Sequence, residues 1–171
     1  MTKPDLDSIP LFYRGYVENV KDLDVMEALQ QSSKVALTIF RTIPEDMGEY
    51  RYAEGKWSIK ELLNHMMDAE RIFAYRALRF SRNDGTPLPG FEENDYAPNA
   101  NAQARSVTTL CDEMERLRAT TIDLYSTFTP EMLKRDGTAN NNRLSVLNLG
   151  YVIAGHETHH RKIIVERYLK N

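Results

Sequence analysis

Apolar residues recur with helical spacing in four long stretches of this chain, and all seven prolines (4, 10, 44, 87, 89, 98 and 130) fall between or outside them. The first stretch, about 24–42, carries Met26, Leu29, Ala36, Leu37, Ile39 and Phe40 and stops at Pro44, after a lead-in containing Phe12, Tyr13 and Tyr16. The second opens on Ser58-Ile59-Lys60-Glu61, a capping box in which Ser58 and Glu61 exchange hydrogen bonds with each other's backbone amides. Its stripe runs Ile59, Leu62, Leu63, Met66, Ala69, Ile72 and Phe73, and His65 lies beside that stripe, facing inward. The third, about 106–128, follows Val107, Leu110, Met114, Leu117 and Leu124, and Thr129-Pro130-Glu131 then predicts a short extra helix ending near Gly137. The fourth starts near Ser145 and follows Val146, Leu149, Val152, Ile153, His156, His160, Ile163, Ile164 and Arg167. No β-alternation exceeds a few residues, and residues 81–105 read as a long connection holding a 88–96 loop of the kind that often carries function.

Four amphipathic helices with long links predict an all-α four-helix bundle with crossover connections, in one domain over 1–171. At 171 residues and 42% hydrophobic content the chain can bury a core without staples, so a metal is not needed merely to fold it. Its single cysteine, Cys111, cannot form an intramolecular disulfide, and the first twenty residues lack the order of a signal peptide, so the expectation is a reducing, cytoplasmic location. No apolar run approaches the roughly 18 residues of a membrane span. With a net charge of -3 and dispersed Lys and Arg, neither a nucleic acid nor a membrane surface is an expected partner.

The informative chemistry is His156-Glu157-Thr158-His159-His160. Positions i and i+4 lie on one helix face, so His156 and His160 can aim at one centre, and His65 from another inward stripe can supply a third ligand. Three inward imidazoles would be costly to bury unsatisfied, whereas one divalent metal accepts all three lone pairs. His159 is rotated off the stripe and reads as a flanking residue. The string also matches the zincin motif H-E-x-x-H, but Arg161-Lys162-Ile163 stands where x-x-Gly is needed, and only the rest of the same helix follows before Asn171. Glu157, about 100° around the helix from His156, reads as a solvated charge or an outer hydrogen-bond acceptor. A di-iron carboxylate site needs a second Glu-x-x-His, which is absent, and nothing supports haem.

Trp57-Ser58-Ile59-Lys60-Glu61 with His65, Glu70 and Arg71, the 88–96 segment, and Gly155-His156-Glu157-Thr158-His159-His160 together resemble the DinB/YfiT-like superfamily of metal-binding helix bundles, over about 24–169. The resemblance implies a bundle of down-up-up-down type, a metal triad of His65, His156 and His160, and a homodimer. It also implies two kinds of activity, thiol-dependent S-transfer with a low-molecular-weight thiol and metal-dependent hydrolysis of a small-molecule substrate. The triad suits one divalent transition metal, zinc first, with nickel, iron or manganese as alternatives. Glu93 is the candidate general base, and Asn94 and Tyr96 are candidate substrate-binding groups on the same loop. The contrasting reading is a non-catalytic, stress-related metal-binding bundle whose metal is structural or sensed; a fourth protein ligand would favour it, and an open cavity would favour an enzyme. Gly150 and Gly155 are expected to let helices approach closely.

Overall fold

Four long helices form where the apolar periodicity places them, in a computed structural model that describes residues 3–170. They are α2 (Val25–Phe40), α3 (Ile59–Ser81), α5 (Val107–Ser126) and α7 (Val146–Ile163), whose last turn widens into a π-helical Ile164–Tyr168. Three short helices accompany them: α1 (Leu11–Glu18), α4 (Glu93–Asn99) and α6 (Pro130–Lys134). Each long helix starts on a side-chain cap that satisfies amides left bare by the first turn. Ser58 and Glu61 form the expected box on α3, and Asp24 with Glu27 forms a second on α2. Ser106 and Ser145 cap α5 and α7.

α7 packs on α1, α2 and α3, while α5 packs on α2 and α3, so α2 lies diagonally across from α3 and α5 across from α7. Consecutive helices on a diagonal require long links over the ends of the bundle, which is why 41–58 and 127–145 are extended. This is a four-helix bundle with crossover connections. No helix among the described residues is long and apolar enough to cross a membrane.

Two elements depart from the sequence reading. The link between α3 and α5 is not an open loop, since Glu92 caps the amide of Asn94 and starts α4 there. After α6 the chain forms a hairpin, β1 (Asp136–Ala139) and β2 (Asn142–Ser145), turning on Asn140 and Asn141 with φ of 49° and 58°. Leu88 joins it: its amide donates to the Thr138 carbonyl and its own carbonyl accepts from the Asn140 amide. The hairpin thereby fixes the strap that leads into α4.

The apolar interior falls into two clusters. One gathers Val17, Leu29, Phe73, Phe80, Leu149 and Tyr151, and the other Phe40, Ile59, Leu63, Met67, Leu110 and Ile164. Close approach of α1 to α7 depends on Gly155, where a Cβ would stand 2.1 Å from the Tyr16 carbonyl oxygen. Gly150 does the same for Val25 and Tyr125. Backbone cannot move aside as a flexible side chain can. Gly155→Ala should therefore cost about 1–3 kcal/mol, read as a lowered urea midpoint. Gly15→Ala, on the open face of α1 with nothing within 4 Å of the added carbon, should instead gain about 0.5–1 kcal/mol.

Candidate metal centre

α7 brings His156 and His160 to one face, and the inward stripe of α3 brings His65 opposite them. Nε2 of His156 lies 3.1 Å from Nε2 of His65 and 3.0 Å from Nε2 of His160. The three ligand atoms all fall within 4.8 Å of one another, and no fourth His, Cys, Asp or Glu joins them among the described residues. This spacing fits a shared ion, because four ligands about 2.0–2.1 Å from a tetrahedral zinc stand about 3.3 Å apart. The protein alone does not account for it. A neutral Nε2 has either one proton or one lone pair, so that of His156 can satisfy only one of its two neighbours.

The donor set is electrically prepared for a cation. Burial lowers the pKa of His65 from 6.5 to about 4. Burial, and then the other imidazoles of the cluster, hold His156 and His160 well below 6.5. All three are neutral at physiological pH, with lone pairs free. The Tyr16 ring meets His156 edge-on at 5.2 Å, and Trp57 lies 4.7 Å from His65, so aromatic rings flank the cluster. His159 faces Tyr16 and stays outside the cluster, as its position on the helix requires.

In front of the histidines is a cavity of about 150 Å³. α1 contributes Phe12, Tyr13 and Tyr16, α3 adds Ala69, Phe73 and Arg76, and the strap adds Phe91 and Glu93. Glu93, the first residue of α4, is thus in the same cavity as the triad. Asn94 lies instead in an outer groove with Trp57, Lys56 and the outer side of His160. Tyr96 is 46% exposed, packs against Phe91 at 5.3 Å, and does not line the histidine cavity. Burial, with the Glu93 carboxylate behind it, raises the Tyr16 phenol above 10.0, so it remains a proton donor. Burial pushes the Cys111 thiol up to about 11, which leaves it inert as a nucleophile.

The structure corrects the reading of Glu157, which is no solvated charge. It is 4% exposed and accepts from Nη1 of the equally buried Arg118 at 2.9 Å. The guanidinium also makes a two-pronged contact with Glu70 at 2.8 and 2.9 Å, and donates to the Leu29 carbonyl and the Ser32 hydroxyl. Burial opposes its charge, and the attraction of Glu157 and Glu70 outweighs that, raising its pKa. Glu157 ends above its ordinary 4.5 because burial exceeds the pull of Arg118. Sequence reasoning missed Arg118 and Arg76, although each interrupts a core stripe: Arg118 lies in series with Cys111, Met114, Thr121 and Tyr125, and Arg76 with Ala69 and Phe73.

The comparisons agree with this architecture. The chain is 26% identical over 151 residues to a protein of Oceanobacillus iheyensis named as a candidate metal-dependent hydrolase, covering 84% of each. Its fold is similar to that of YfiT from Bacillus subtilis, described as a candidate metal-dependent hydrolase with an unusual four-helix bundle topology. The TM-score is 0.70 at 17% identity, over 96% of this chain and 90% of that one. The DinB superfamily profile matches residues 28–164, a span that includes all three clustered histidines, and the chain belongs to that superfamily.

Proposed function

We propose that the protein is a hydrolase working through one divalent metal held by His65, His156 and His160. The observation that carries this reading is the convergence of three neutral Nε2 atoms at the wall of a cavity, with no fourth protein ligand among the described residues. A closed four-ligand site would support a structural or sensed metal, whereas this arrangement leaves room for a reacting molecule. An all-imidazole donor set suits zinc first, then nickel or iron, and manganese least. When bound, such an ion supplies Lewis-acid polarisation of a carbonyl and brings the pKa of water near neutrality.

The chain's own residues do the rest. Glu93 takes a proton from the attacking water as its oxygen bonds the carbonyl carbon, and passes it to the leaving nitrogen or oxygen as that bond breaks. Tyr16, protonated beside the histidines, can donate to a developing oxyanion. Trp57, Phe73 and Phe91 keep bulk water out, so these interactions act in a low-dielectric space. Hydrolysis is favoured over thiol-dependent S-transfer by the size of the cavity. A space of about 150 Å³ is benzene-sized, so a thiol co-substrate and its acceptor could not both lie within it, and one would extend into the groove past Trp57 that holds Asn94. The homodimer belongs to the same proposal, and Leu11 and Phe12, exposed on α1, are apolar surface available to it.

Metal analysis of protein purified without an affinity tag tests the ligand set. Alanine at His65, His156 or His160 should each sharply lower bound metal, while His159→Ala should retain it. Full occupancy in His65→Ala would sink the assignment. Glu93→Gln should reduce turnover of a cleaved ester or amide about a hundredfold with metal content unchanged. Unchanged turnover would remove Glu93 from the reaction.

Chelation should lower the melting temperature yet keep the helical circular dichroism spectrum, since two apolar clusters support the bundle without the ligands. A spectrum collapsing to coil would contradict that. The chelated protein should also weaken in acid. Its unfolded chain takes up a proton at His65 near pH 6.5 and the folded one only near 4, so stability is full above about 6.5 and falls as pH drops toward 4.

A further inference from the structure

The histidine cavity contains a buried cation without a counter-ion. Lys60, Arg76 and Arg118 are the buried lysine and arginine side chains among the described residues. Lys60 faces Glu45 at 3.3 Å and Glu49 at 3.5 Å, and Arg118 is held by Glu70 and Glu157. Arg76, 2% exposed, makes no ion pair with any described carboxylate. Its Nη2 donates to the Pro89 carbonyl at 2.9 Å, its Cζ lies 5.7 Å from the Phe73 ring, and the Tyr13 phenol rests against it. None of these neighbours is anionic, since burial raises the Tyr13 pKa above 10.0. Guanidinium does not shed its proton in proteins, and a charge buried this deeply is ordinarily paired. Glu93 lines the same cavity without pairing with Arg76, so the guanidinium is a preformed cation open to a partner from outside.

Its place says what that partner is for. Phe73 neighbours both groups, with its ring 6.2 Å from that of His156 and 5.7 Å from Arg76 Cζ, and all three line the one cavity. We propose that Arg76 is an anion subsite and that the molecule acted on carries a carboxylate, seated on this guanidinium, with its reacting carbonyl toward the histidines. The role as substrate rests on the hydrolase reading; the anion subsite does not. A space of about 150 Å³ admits about six heavy atoms, so any larger substrate leaves its remainder at the mouth.

Butyrate and its uncharged isostere butyramide are the probes, titrated by calorimetry into the full chain with metal content measured in parallel. The wild type should bind butyrate at least about tenfold more tightly than butyramide, in the range of a buried charge-assisted hydrogen bond. Chelated protein should keep that preference, because the guanidinium sets it. Arg76→Met should abolish it with metal content unchanged. Arg76→Gln, which keeps a donor for the Pro89 carbonyl, is the second variant should methionine fail to fold, and it should lose the preference too. Equal binding of acid and amide by the wild type overturns the proposal, as does an undiminished preference in a folded Arg76 variant. Protein that holds no metal yet prefers the acid keeps the subsite and defeats the hydrolase reading, so the two failures are distinguishable.

Discussion

One guanidinium touches every long helix of the bundle. Arg118, on α5, bonds the Leu29 carbonyl and Ser32 hydroxyl of α2, the Glu70 carboxylate of α3 and the Glu157 carboxylate of α7. Removing one partner from a buried ion cluster leaves an uncompensated charge costing about 3–5 kcal/mol, so the register of all four helices is tied to this side chain. The two apolar clusters lie on either side of this level. On α2, Leu29 belongs to one cluster and Ala36 to the other; on α5 the same holds for Tyr125 and Met114, with Arg118 between. The polar layer therefore crosses the bundle at one height, and on α7 His156 and His160 follow Ala154 of one cluster and precede Ile164 of the other.

That placement explains how one turn of α7 serves three purposes. Gly155, His156 and Glu157 point about 100° apart, toward α1, the cavity and Arg118 respectively. The glycine lets α1 come close enough for Tyr16 to wall the imidazole, and the glutamate locks the rotation of the helix that aims it. Burial holds the imidazoles neutral, and Arg76 has no carboxylate paired with it, so the same cavity presents lone pairs at one point and positive charge at another. Such separated groups orient a small polar molecule better than either would alone.

Helix positions and caps were legible because each rests on side chains close in sequence, as with Ser58 and Glu61. The histidine cluster was legible for a related reason: the i, i+4 spacing of His156 and His160 and the inward stripe of His65 are local patterns that meet in space. The hairpin was not, since four-residue strands carry too little alternation and Asn140-Asn141 looks like any polar link until its positive φ values are known. Glu157 was misjudged because an amphipathic helix is assumed to have a solvated face, and α7, enclosed by α1, α2 and α3, has none at that level. Arg118 and Arg76 did leave a signal, as charges seated within apolar stripes. Pattern alone does not say whether such a residue extends to water or is enclosed, because that depends on which helix packs across from it.

X-ray absorption at the metal edge, on tag-free protein, tests the central claim most directly. The account predicts three imidazole nitrogens at about 2.0–2.1 Å for zinc, with the remaining coordination filled by light atoms exchangeable with solvent or ligand. A sulfur ligand, a fourth protein side chain closing the shell, or a metal without imidazole neighbours would contradict it.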